Sequence, residues 1–139
     1  MVRLLCTGSA MVDYRSLTGK RWEYGKQDCY TLVRDYFALL GVELPDFKRP
    51  ASLRRTDSVF LRHANALQFN EVAFNDRKEG DVLIMRLGTR TPMHAAIYLK
   101  DDRILHQRMN SISAIEPLTR YHRDRVSAVY RHATGHARR

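Results

Sequence analysis

The chain has 139 residues, enough for one domain with a real core. Its 24 Lys and Arg against 15 Asp and Glu leave a net charge of +9 and an isoelectric point near 10.0. Its two cysteines argue against a disulfide framework, and no stretch approaches the ~18 consecutive apolar residues of a membrane span.

Residues 1–6 are too short an apolar start for a secretory segment, and Cys6 lacks the small residues that precede a lipidated cysteine, so it reads as a plain thiol. The first strong element follows Gln27. Asp28 is a natural N-cap, which places Cys29 in the first turn of a helix, among backbone N–H groups that have no intrahelical acceptor. Cys29, Leu32, Val33, Tyr36, Phe37 and Leu40 then recur at helical spacing on one face, and Gly41 supplies the stop. A thiol there has two readings. It is a small apolar residue opening a buried stripe, or a nucleophile whose thiolate is favoured by the positive end of the helix and a nearby imidazolium.

Pro45 and Pro50 bracket a basic loop, and Asp57 caps a short predicted helix through Phe60, Leu61, Ala64 and Leu67. A turn at residues 78–81 leads into the apolar run Val82, Leu83, Ile84 and Met85, bounded by Gly88. Residues 94–99 alternate, with His94, Ala96 and Tyr98 on one face and Ala95, Ile97 and Leu99 on the other. A polar turn at residues 100–103 and a strand at residues 104–107 close a hairpin. The small Ala95 and Ala96 allow another element, such as the Cys29 helix, to pack closely there. Residues 111–115 read as a further strand, 118–123 as a helical turn, 126–130 as a last alternating strand, and 134–139 as a loose basic tail after a single domain at 1–133. His132 and His136 are four apart, but no Cys pair or acidic ligand accompanies them to suggest zinc.

Asp28-Cys29, the Gly80-Asp81 turn into an apolar strand, His94-Ala95-Ala96-Ile97-Tyr98-Leu99, and His106 together resemble NlpC-type cell-wall cysteine endopeptidases, over residues 22–107. Trp22-Glu23-Tyr24-Gly25, Arg34-Asp35-Tyr36 and Gly41-Val42-Glu43-Leu44-Pro45 are similar to the subset found in tails of long-tailed bacteriophages. The resemblance implies an α+β papain-like fold, with an N-terminal Cys-bearing helix packed on an antiparallel sheet of four to six strands. It implies Cys29 as nucleophile, His94 as base, His106 as the residue orienting His94, and no metal or organic cofactor. Two departures stand out: Tyr30-Thr31 follows the cysteine where bacterial members have Ser-Gly, and Trp22 stands where they have a tyrosine that assists the oxyanion. The Trp22 indole N–H can donate instead, with Tyr24 as a substitute and Asp28 as a further candidate at the oxyanion or substrate.

Hairpin register decides what meets His94. A two-residue turn at Asp101 and Asp102 sets Ile97 opposite His106 and turns His94 to the other face. A three-residue loop that sets Tyr98 opposite His106 puts His94 opposite Asn110, making Asn110 the orienting residue. A bulge, or a tighter register centred on Lys100, brings in His106. The resemblance favours His106, with Asn110 and Gln107 as alternates.

The resemblance therefore implies a tail-associated peptidoglycan endopeptidase cutting stem-peptide amides, made in the host cytoplasm and carried at the virion tail tip without an export signal. A second class is a catalytically silent tail-assembly protein docking on a tail hub. A third is a basic nucleic-acid-binding module, for which the sequence offers charge but no recognised motif. Basic residues are densest over 49–62 and 120–139. That charge suits an anionic envelope or acidic stem peptides, and equally a solvated surface meeting acidic neighbours in an assembly.

Overall fold

A computed structural model of the protein describes residues 13–49, 59–89 and 91–133. Cys6, Pro50, Asp57, His136 and the tail over 134–139 lie outside the described residues. Helix α1 spans Cys29–Leu39. Asp28 caps it from extended backbone, its side chain accepting the Thr31 N–H. At the other end Gly41, at φ +82°, donates to the Ala38 carbonyl and Val42 donates to that of Phe37. Both bonds are those of a Schellman stop. A Cβ at Gly41 would meet nothing within 4 Å, so Gly41→Ala tests backbone strain alone. We expect a loss of about 1–2 kcal/mol, read as a lowered denaturation midpoint with unchanged activity.

Six strands form one antiparallel sheet: β1 (Phe69–Val72), β2 (Val82–Met85), β3 (His94–Leu99), β4 (Arg103–His106), β5 (Ala114–Pro117) and β6 (Val126–His132). Their spatial order is β1-β6-β2-β3-β4-β5. Both faces of the central strands are covered. Val82, Ile84, Ala95, Ile97, Leu99 and Leu105 pack with Leu32, Val33, Tyr36 and Phe37 of α1. On the opposite face Leu83, Met85, Ala96, Tyr98 and Ile104 pack with Leu118 and Val129. Two-sided burial explains why residues 82–85 read as an unbroken apolar run. Asp81, fully buried at the entry to β2, accepts two bonds of 2.9 Å from Arg131 and ties that turn to β6.

Several boundaries differ from expectation. The short helix after the basic loop, α2, is Val59–His63 and gives way to turns before Phe69 begins a strand not foreseen from the sequence. The strand expected over 111–115 forms at Ala114–Pro117, preceded by a single bridge between Ile112 and Arg21, and the helical turn α3 is Arg120–Arg123. The last strand runs on to His132, which is buried with its ring 4.9 Å from that of Phe69 and 5.6 Å from that of Phe37. Among the described residues no helix is long and apolar enough to cross a membrane.

The β3–β4 hairpin adopts neither of the two registers weighed first. Leu99 pairs with Arg103 and Ala96 with His106, so the loop is Lys100, Asp101 and Asp102. Asp101 and Asp102 take left-handed backbone, at φ 64° and 50°. Asp102 is held there by Arg77 at 3.0 Å, Arg123 at 2.9 Å and the Tyr98 hydroxyl. His94 and His106 thereby become diagonal neighbours on one face, with Ala96 the small residue directly opposite His106.

Candidate active site

The N-terminus of α1 is built around one buried carboxylate. Asp28 accepts from the Thr31 N–H at 3.0 Å, the Thr31 hydroxyl at 2.9 Å and the Gly25 N–H at 2.9 Å. Arg49 approaches it two-pronged, with Nε at 2.7 Å and Nη2 at 3.0 Å. Burial pushes this carboxyl up, but the Arg49 guanidinium and the Thr31 and Gly25 amides outweigh it and hold it below the usual carboxylate range. With its oxygens so engaged, Asp28 holds the helix and its approach loop in place. Asp28 also lines the cleft that Cys29 opens onto.

Cys29 follows at the helix start, partly exposed, its thiol 3.5 Å from the Met93 carbonyl at the entry to β3. A tight turn, with Gln27 and Lys26 donating to Glu23, carries Trp22 and Tyr24 beside it, their rings stacked 6.3 Å apart. These residues and His94 line a cleft of about 370 Å³ that also includes Arg49 and Gln107. The Gln107 amide is spent on structure, donating to the Lys20 and Ser111 carbonyls and accepting from Gln27. Asn110 sits exposed in a turn at φ +58°, away from the cleft lining. The register that would set it opposite His94 does not form.

His94 Nε2 lies 2.9 Å from His106 Nδ1, and His106 Nε2 lies 2.9 Å from Glu116 Oε1. Behind Glu116 stand Arg108 at 3.5 Å and His122 at 4.0 Å. Glu116, His122 and Arg49 were not foreseen. Glu116 lies opposite Ile104, on the face that carries His106, and only the β4–β5 register reveals that.

Protonation differs from the expected thiolate. Burial first, and then the Asp28 carboxylate, push the Cys29 thiol up to about 11, against weaker help from the Ala95 backbone and Arg49. Burial, reinforced by positive charge at His106, His122 and Arg108, holds His94 well below its ordinary 6.5. The resting pair is therefore a neutral thiol and a neutral imidazole. Burial also lowers His106, His122 and His132, while hydrogen bonding from His106 helps keep Glu116 ionised against its own desolvation.

Depressed imidazoles make a stability prediction. As pH falls below 6.5, the unfolded chain takes up protons that the folded His94, His106, His122 and His132 refuse. Their contribution is full above 6.5 and is lost as pH falls toward the folded values. Thermal melts from pH 8 to 5 should show Tm falling from about 6.5 downward, before the carboxylates titrate; a flat Tm across that window contradicts the assignment.

His106, Glu116 and His122 offer donor atoms within 4.8 Å of one another, a spacing a cation can use. The donor chemistry argues against it. The Thr119 backbone N–H donates to His122 Nδ1 at 3.2 Å, so neutral His122 carries its proton on Nε2, the nitrogen facing Glu116. Ligation through Nε2 would require that capping bond to break.

The NlpC/P60 family profile matches residues 17–131. The chain belongs to the NlpC/P60 family. This NlpC/P60 chain is also similar to the tail tip assembly protein K of Escherichia phage lambda, with 38% identity over 117 residues, 84% of the chain and 59% of that protein's length. Among solved structures it resembles an NLP/P60-family lipoprotein-like protein of Staphylococcus aureus, at TM-score 0.63 and 20% identity over 90% of this chain and 40% of that one. It also resembles NlpC1 of Trichomonas vaginalis, at TM-score 0.60 and 14% identity over 85% and 42% of the two chains. The P60 domain of a Mycobacterium avium paratuberculosis antigen follows at TM-score 0.57 and 12% identity, over 91% and 92%. These establish the papain-like NlpC/P60 fold, with its helix on a six-stranded antiparallel sheet.

Proposed function

We propose that this NlpC/P60 domain is a cysteine endopeptidase that cuts amide bonds in peptidoglycan stem peptides at a phage tail tip. The observation carrying this reading is that Cys29 and His94 line one cleft, with His94 held 2.9 Å from the buried His106. His94 Nε2 is turned to His106, so Nδ1 is the nitrogen left for the thiol. Cys29 passes its proton to His94 Nδ1 as sulfur bonds to the scissile carbonyl carbon, whose oxygen takes the displaced electron pair. The Cys29 backbone N–H and the Trp22 indole, or the Tyr24 hydroxyl, stabilise that oxyanion. As the C–N bond breaks, the imidazolium returns the proton to the leaving amine, and a thioester remains. Water, deprotonated by His94, then releases the acid and restores the thiol. Because thiol and imidazole rest neutral, proton transfer accompanies attack rather than preceding it. The exposed Arg108 on the cleft wall favours acidic stem peptides.

The likeness to a tail tip assembly protein supports a second role for the same domain, docking within a tail tip assembled in the host cytoplasm, alongside or in place of cleavage. Mass spectrometry of purified stem peptides incubated with the protein separates the two. A fragment pair whose masses sum to substrate plus one water supports the peptidase. No product from folded protein, either free or in assembled tails, leaves the docking role. Activity that survives loss of Cys29 and His94 but is abolished by salt would instead indicate nucleic-acid binding.

A further inference from the structure

We propose that Glu116 is a positioning residue that sets the tautomer of His94 through His106. The inference rests on the peptidase reading for its consequence, although the tautomer itself can be measured without activity. It starts from groups whose hydrogen-bonding role is fixed by chemistry. A backbone N–H can only donate, so the Thr119 N–H at 3.2 Å from His122 Nδ1 leaves the neutral His122 proton on Nε2, directed at Glu116 Oε1 4.0 Å away. An ionised carboxylate can only accept, and Glu116 is kept ionised by His106, Arg108 and His122 around it. His106 Nε2, 2.9 Å from Glu116, therefore carries its proton and donates it. Neutral His106 is then bare on Nδ1, so His94 Nε2 at 2.9 Å must be the donor there. His94 consequently has its lone pair on Nδ1, the nitrogen that must accept the thiol proton.

Without Glu116 nothing imposes this order. His106 can carry its proton on Nδ1 and donate to His94 Nε2, which moves the His94 proton to Nδ1 and blocks that nitrogen as a base. The cluster draws on three separate elements: His106 ends β4, Glu116 lies on β5 and His122 on α3. Glu116 is partly exposed at the sheet edge, so truncating it leaves the core intact.

The test is two-bond 1H–15N correlation of the imidazoles at pH 7.5, on wild type, Glu116→Ala and Glu116→Gln, beside stem-peptide kinetics and a melting curve for each. In wild type, His94 should show a protonated Nε2 and a bare Nδ1. In Glu116→Ala the His94 Nδ1 resonance should move toward the protonated position, and kcat/KM should fall about 10–100-fold, with KM little changed. Glu116→Gln, which keeps an acceptor oxygen, should recover most of both. A bare Nε2 on wild-type His94, or a His94 pattern unchanged in Glu116→Ala, overturns the proposal even if the wild type is active. A wild type that cuts nothing, but whose His94 tautomer shifts in Glu116→Ala, overturns the peptidase reading and leaves the positioning role standing.

Discussion

Cys29→Ala is expected to abolish stem-peptide cleavage, with a loss of about 10⁶-fold, while the protein remains folded. Cys29 opens α1 and packs against the core rather than within it, its thiol 3.5 Å from the Met93 carbonyl, so removing one sulfur atom disturbs little of the core. What it removes is the atom that bonds to the substrate. His94→Ala should cost nearly as much, because the nucleophile and base act as one unit and their losses do not add. The double variant should accordingly be no slower than either single one. Product mass spectrometry with matched melting curves checks this. Residual cleavage within tenfold of wild type in a folded Cys29→Ala protein would remove Cys29 from the chemistry.

Arg49→Ala should destabilise the domain by about 3–5 kcal/mol, lowering Tm on the order of 10–20 °C. The Arg49 side chain is 6% exposed and that of Asp28 7%, and the guanidinium holds Asp28, Thr31, Asp46 and the Phe47 carbonyl together. Truncation leaves a desolvated carboxylate under the first turn of α1 without its cation. The folded Asp28 carboxyl lies below its ordinary 3.8, so the pair contributes fully above that pH and is lost as pH falls through the folded value. Arg49→Ala should therefore be less stable at neutrality and less sensitive to further acidification in that range. Activity should drop as well, since Arg49 offsets the Asp28 charge that pushes the Cys29 thiol up. Denaturant melts at pH 7 and pH 3 test both parts; equal stability of wild type and variant at pH 7 would show that the pair carries no net stability.

These two expectations draw on different kinds of legibility. Cys29 and His94 stood out because their residue types and neighbours are local signals, a cap before a helical stripe and an alternating strand, whereas His106 rested on the family resemblance. Arg49 did not, since it lies 21 residues from Asp28 along a basic loop and nothing nearby marks it as a buried ion-pair partner. Glu116 escaped for a similar reason. It lies one residue past the end of the strand expected over 111–115, and its place beside His106 is set by the pairing of β5 with β4. The strand at Phe69 follows directly on the helix expected through Leu67 and carries no signal of its own, since pairing with β6 is what stabilises the extended form.

By itself the sequence determined where α1 begins and ends, since Asp28 and Gly41 act on backbone groups within four residues of themselves. It also determined that residues 82–85 and 94–99 are strands, from composition and alternation that do not depend on the partner strand. Tertiary structure alone decided the rest. The three-residue loop at 100–102, held by Arg77, Arg123 and Tyr98 from elsewhere in the fold, chose the register that sets His106 beside His94. Burial then decided that thiol and imidazole rest neutral, overriding the helix-end effect that the sequence suggested. The physical reason is range: caps and turns are settled by neighbours in the chain, whereas register, desolvation and charge are set by groups that meet only once the chain has folded.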